Sequence, residues 1–397
     1  MKTNNSLYLQ TRRNQLAKNL KNGLLVLSSS GAKVVKSHFY YLTQMEASQD
    51  FIILGVENGV LKEQLYFRKS RTNREIIWDG AELNDQGVRD TLQGLELRTH
   101  LQFQEALVDL ISKYTTFWTC LGDQNDFDQE LLKLLRQTKR NIFFEVCDVS
   151  SELSKLRMIK EDLEVEKIRK ACQISVHAHK HLRQQFKHGG TELQMAAHFD
   201  WQVKMQRAEA LAYNTILAAG KNSTYLHHEP SQDELRNDEL VLVDAGAQCD
   251  HYCADITRTY PISGKFTQIQ KEVYAVVLEA QKEALRAIHP GTTLAKIHDA
   301  AHRVIADFAK SKNVEVADIF PHKTSHWLGL DVHDAGIYEE KLRAGMVFTV
   351  EPGIYFHPFL TKKNEKYEGI GIRIEDEVLI TETGYEVLTD GLAKDIV

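Results

Sequence analysis

A chain of 397 residues exceeds what one hydrophobic core usually supports, so two domains are expected. Apolar content of 43 % and charged content of 26 % are those of a globular protein, and 49 basic against 55 acidic residues, interspersed to a net charge of −6, exclude a basic nucleic-acid-binding face. No apolar run approaches bilayer-spanning length, and the opening MKTNNSLYLQTRRNQL lacks the apolar segment of a secretory signal. Five scattered cysteines (Cys120, Cys147, Cys172, Cys249, Cys253) without CxxC spacing fit reduced thiols in a cytoplasmic protein.

The first element is a helix in YLQTRRNQLAKNLKNG, with Leu9, Leu16 and Leu20 on one face and Gly23 as its stop. GLLVL, DFIILGV, EQLYF and TTFWTC then read as strands, and FQEALVDLISKY and DQELLKLLRQ as helices. This makes an α/β unit ending near residue 150. The charged helix IKEDLEVEKIRKACQISVHAHKHL, with Val165, Ile168, Cys172, Ser175 and Leu182 at helical spacing, opens a second domain.

That second domain reads as internally doubled. HGGTELQMAAHFDWQV from His188 and HPGTTLAKIHDAAHRVI from His289 each pair a glycine turn with a threonine cap and an amphipathic helix; Thr191 with Gln194 fits a capping box. LVLVDAG, carrying Asp244, is echoed by MVFTVEPG, carrying Glu351. The offsets are 101 and 107 residues, which predicts two related halves facing each other across a pseudo-twofold.

Four acids occupy strand-like settings: Asp244, Asp255, Glu351 and Glu375. Strand period places Arg373 on the same face as Glu375. Converging carboxylates repel one another, and divalent cations would relieve all of them. An oxygen-rich set with an imidazole suits manganese, cobalt or zinc. His322, His326 and His333 in FPHKTSHWLGLDVHD, and His227 and His228 in TYLHHEP, are the imidazole candidates. One histidine among 17 is usually a packed or solvated side chain; three at intervals of four and seven beside Gly and Trp point to a site.

VLVDAGAQCDHYCADITRTYP, SHWLGLDVHD, TVEPGIY and GIGIRIEDEVLI resemble, segment for segment, the metallopeptidases of the pita-bread fold, and within them the aminopeptidase P (Xaa-Pro aminopeptidase) family. The resemblance covers most of residues 155–390, and extends more loosely to YLQTRRNQLAKNL and REIIWDGAEL. It implies an α+β protein with a catalytic pita-bread domain at 156–397. A smaller α/β domain at 1–155 would serve oligomerisation and wall the substrate cleft.

The resemblance further implies two divalent metal ions, manganese being the usual choice, held by Asp244, Asp255, His326, Glu351 and Glu375. Asp255 and Glu375 would bridge the pair. Glu351 would move the proton, His333 would face the scissile carbonyl, and His227 would stand on the substrate side. His322, Arg373 and Tyr355 would line the substrate pocket. The implied substrates are peptides with proline second, and the implied assembly is a homodimer or homotetramer.

Two positions depart from the family pattern. Lys323 stands where many relatives have glycine, and His38 where relatives commonly place an aspartate that helps bind the substrate's N-terminus. Trp78 would be core or reach a neighbouring subunit's cleft, and Cys249 and Cys253 are read as small buried side chains. The rival readings are a prolidase restricted to Xaa-Pro dipeptides and, from another class, a binding protein that kept the fold and lost its metals.

Overall fold

The computed structural model describes residues 5–46, 49–79, 85–121, 126–186, 189–360 and 365–394. His188 and part of REIIWDGAEL (residues 80–83) lie outside them. The chain divides into two compact units, Met1–Arg157 and Met158–Val397.

The first unit is built on a six-stranded mixed sheet. Its strands are β1 (Gly23–Ser28), β2 (Phe51–Glu57), β3 (Val60–Arg68), β4 (Glu96–Thr99), β5 (Thr116–Thr119) and β6 (Glu145–Asp148), in the spatial order β4-β3-β2-β1-β5-β6. Every residue of β1 is buried, as an apolar strand at the sheet centre should be. The first helix, Asn5–Leu20, buries Leu9, Leu16 and Leu20, as the pattern predicts.

Gly23 is not that helix's stop. Lys21 takes the left-handed turn at φ 62°, and Gly23, at φ 123°, opens β1, where a Cβ would meet Thr116 O at 2.7 Å. His38 is buried in the helix Lys33–Thr43, with its Nδ1 3.1 Å from Arg157 Nη1. Trp78, in the helix Asn73–Asp79, is 77 % exposed.

The second unit begins with the helix Asp162–Gln185, opened by a Glu161/Glu164 capping box, and the helix Glu192–Met205, opened by the expected Thr191/Gln194 box. Short antiparallel strands follow: β7 (Ala210–Leu211), β8 (Ile216–Ala219), β9 (Leu240–Asp244), β10 (Ala247–Cys249), β11 (Tyr252–Cys253) and β12 (Thr257–Pro261). They form two sheets, β11-β10-β7 and β12-β9-β8.

The pattern then repeats. The helices Gln268–Arg286 and Leu294–Ser311, the latter capped by Thr293, precede β13 (Val347–Val350), β14 (Gly353–Tyr355), β15 (Gly371–Arg373), β16 (Asp376–Ile380) and β17 (Tyr385–Val387). These pair as β13-β16-β17 and β14-β15. The apolar faces of the second helix pair and its strands share a core that includes Val277, Ile297, Trp327, Phe348 and Ile374. No described helix is long and apolar enough to cross a membrane.

Candidate metal centre

Asp244 ends β9 opposite Thr257 of β12, and Asp255 lies two residues before β12. The chain between them folds tightly back: Ala245 N donates to Ile256 O, and Ala254 N to Ala247 O, both at 3.0 Å. Gly246 sits inside this crossing, where a Cβ would lie 1.8 Å from Ala254 O. Only glycine fits there, which explains DAG at the strand end and brings two aspartates eleven residues apart onto one face.

On the other half, Glu351 follows β13 directly. The segment bearing His326 runs beside that strand: Thr349 N donates to His326 O at 2.9 Å, and Glu351 N to Thr324 O at 2.8 Å. His326 Nδ1 is 3.1 Å from Trp327 O. Donation there turns Nε2 toward Asp255 Oδ2 and Glu351 Oε1, each at 3.4 Å, so that without a cation Nε2 carries a proton between the two carboxylates and with one it is the nitrogen left to ligate. Glu375 sits between β15 and β16 and accepts from Thr257 Oγ1 at 2.6 Å.

The contacts close into a circuit. Tyr213 OH reaches both Asp244 Oδ1 and Asp255 Oδ1. Asp255 leads to His326 and Glu351, and Glu351 Oε2 lies 3.7 Å from His322 Nδ1. His322 Nε2 is 2.9 Å from Tyr355 OH, which accepts from Arg373 Nη1 at 2.9 Å. Arg373 Nη2 donates back to Asp244 Oδ2 at 2.5 Å, and its Nε to Thr257 Oγ1 at 3.0 Å. The circuit therefore gathers eight of the residues singled out from the sequence, with Glu375 joined through Thr257.

Positive charge is short in this ring. Burial pushes the Asp244 carboxyl up to about 7 against the pull of Arg373, and raises Glu351. Glu375 is driven well above its ordinary value by burial and by the charges of Asp255, Glu351 and Asp244. Burial also acts to raise Asp255, but hydrogen bonding and charge from His326 hold it low. Burial acts to lower His326, and Asp255 and Glu351 overcome it, lifting the imidazole to about 9. Burial and the Arg373 charge take His322 down to about 3, so it is neutral.

Tyr213 has a single hydroxyl proton for two carboxylate oxygens, so the second oxygen needs a proton or a cation. The donor set is wholly oxygen and imidazole nitrogen. Ligand atoms of Asp255, His326 and Glu375 lie within 4.8 Å of one another, close enough to share one ion. These residues fit hard or borderline divalent cations.

The other expected residues fall differently. The His333 ring centroid is 4.4 Å from that of His326, at 75°. Asp334, the next residue, forms a buried ion pair with Lys160 at 3.0 Å. A Cβ on Gly329 would approach Asp334 Oδ2 to 2.3 Å, so the glycine of GLDVHD makes room for the pair. His227 is exposed on the turn after Gly220–Thr224. Its neighbour His228 is the one the fold pins, with Nε2 2.7 Å from Glu192 Oε2. Cys249 and Cys253 are buried thiols, as expected. Sequence reasoning missed Tyr213, Thr257 and Lys160; of these only Thr257 carried a signal, being two residues from Asp255.

Residues 166–382 match the model of metallopeptidase family M24. The chain belongs to that family. Among M24 relatives, the Xaa-Pro aminopeptidase of Escherichia coli is 30 % identical over 97 % of this chain and 95 % of its own. That of Haemophilus influenzae is 31 % identical over 91 % and 86 %. The structure of aminopeptidase P from E. coli in its low-pH form superposes with a TM-score of 0.89 at 28 % identity, covering 98 % of this chain and 96 % of that one. The second unit thus has the pita-bread fold expected for M24, and the circuit of acids lies within the matched segment.

Proposed function

We propose that this chain is a metal-dependent aminopeptidase that releases the N-terminal residue from peptides with proline in second position. The observation that carries the reading is the gathering of four carboxylates, Asp244, Asp255, Glu351 and Glu375, about His326 and Arg373. Its setting is a chain 30 % identical to an Xaa-Pro aminopeptidase over nearly its whole length.

Asp244, Asp255, His326, Glu351 and Glu375 would hold two divalent ions, manganese by preference. When bound, such ions supply Lewis acidity, lowering the pKa of water and polarising a carbonyl. Glu351 takes the proton of the attacking water and returns it to the leaving nitrogen. That return matters for proline, whose amide nitrogen carries no proton before cleavage. His333 donates a hydrogen bond to the carbonyl oxygen as negative charge develops. Arg373 and Tyr355 lock Asp244 in orientation, and neutral His322, with Tyr355 and His227, walls the proline ring. Scattered cysteines without CxxC spacing support a cytoplasmic location, and the first unit would serve homodimer or homotetramer assembly.

The test is metal-stripped protein incubated with Ala-Pro and Ala-Pro-Gly, with and without manganese. Manganese-dependent release of alanine from both is expected. Cleavage of the dipeptide alone would make the protein a prolidase, and inertness toward both would remove the catalytic reading.

A further inference from the structure

Two segments leave the site and meet again at its rim. Tyr355, whose hydroxyl bonds Arg373, ends β14, and the pairing continues through Phe356, whose N donates to Ile370 O at 2.8 Å. Phe356 is turned into the core, so strand alternation puts His357 on the same face as Tyr355.

From the other side, the turn Gly220–Thr224 is tied to β15 by Gly371 N donating to Ser223 Oγ at 2.9 Å. Tyr225 follows it at once, two residues before His227. The rings of Tyr225 and His357 meet edge-on at 4.9 Å, and Phe359 lies 5.4 Å from His357. Phe359 N donates to His357 Nδ1 at 3.2 Å, which fixes that ring. This aromatic patch faces water: Tyr225 is 46 % exposed, Phe359 70 % and the adjoining Leu360 62 %.

We propose that Tyr225, His357 and Phe359 form a subsite for the residue that follows proline in the substrate, selecting an apolar or aromatic side chain there. The inference rests on the Xaa-Pro reading and on Tyr355 and His227 lining the proline pocket. An extended peptide advances about 3.3 Å per residue, so the residue after proline lies about 7 Å beyond the reacting amide, the same advance as from Tyr355 to His357. A side chain laid on these rings covers apolar surface that the free enzyme exposes.

The experiment compares kcat/KM for Ala-Pro-Phe, Ala-Pro-Gly and Ala-Pro-Asp on the manganese-loaded full chain. It then repeats the series with Phe359→Ala alone and with Tyr225→Ala/Phe359→Ala. The parent should prefer Phe over Gly by about tenfold, from partial burial of one ring. The double variant should bring that ratio to within about twofold of unity, with Phe359→Ala between them. Tyr225→Phe, which keeps the ring, should preserve the preference.

Equal rates for Phe and Gly in the parent, or an unchanged ratio in the single and double variants, would overturn the subsite. A change of oligomeric state on gel filtration with the ratio intact would place the patch in a subunit interface, and also overturn it. Failure to cleave any Xaa-Pro peptide, Ala-Pro included, would remove the underlying reading and the subsite with it.

Discussion

Replacing Glu375 by glutamine should stabilise the metal-free protein. The carboxyl is 2 % exposed, accepts from Thr257 Oγ1, and is pushed well above its ordinary 4.5 by burial and by three neighbouring acids. Without cations the folded chain keeps this proton to higher pH than the unfolded chain, which releases it near 4.5. The folded pKa is the raised one, so this group's stability is complete below the unfolded value and is lost as pH rises. Between the unfolded value and the raised folded one, the loss runs at about 1.4 kcal/mol per pH unit.

Glutamine carries no such cost and keeps an oxygen for Thr257 to donate to. In a unit of this size each kcal/mol gained corresponds to roughly 2–4 °C in Tm. The assay is thermal unfolding of chelator-treated parent and Glu375→Gln between about pH 5 and about pH 8, with and without manganese. The variant should be the more stable at neutral pH, converge with the parent toward pH 5, and gain far less from manganese. A metal-free variant no more stable than the parent at pH 7.5, or a difference that does not vary with pH, would refute the reasoning.

Three further substitutions probe other parts of the circuit. Tyr213→Phe should weaken manganese binding about tenfold by calorimetry, because the hydroxyl orients both aspartates; unchanged affinity would remove Tyr213 from the site. Glu351→Gln should abolish turnover of Ala-Pro-Gly while circular dichroism stays that of the parent, and retained turnover would end its proton role. Lys160→Met strands the buried Asp334 carboxylate, so stability should fall by about 3–5 kcal/mol and kcat should drop more than KM changes as the His333 loop loosens. A normal kcat in a folded Lys160→Met protein would show that the ion pair does not seat His333.

The acids and His326 were legible because strand-end carboxylates in apolar runs have few physical explanations, and because the two halves repeat the same sequence of cap, helix and strand. The circuit's completion was not legible. Tyr213 lies in an alanine-rich stretch with no neighbouring motif, and Lys160 and Asp334 are far apart in the chain, so only tertiary contact pairs them. Adjacent His227 and His228 look equivalent in sequence; the buried Glu192 carboxylate, which also accepts from Ser231 N at 2.9 Å, separates them.

In the first unit, β4 and β6 escaped notice because they are edge strands with polar residues, which edges favour. The helix end was misplaced at Gly23 because a non-glycine residue, Lys21, took the left-handed turn that glycine would be expected to hold.

Crystals soaked in manganese and measured at its absorption edge test the central claim most directly. Two anomalous peaks are expected, contacted by Asp244, Asp255, His326, Glu351 and Glu375, with Asp255 and Glu375 touching both. Peaks elsewhere, or none between these side chains at saturating manganese, would contradict it.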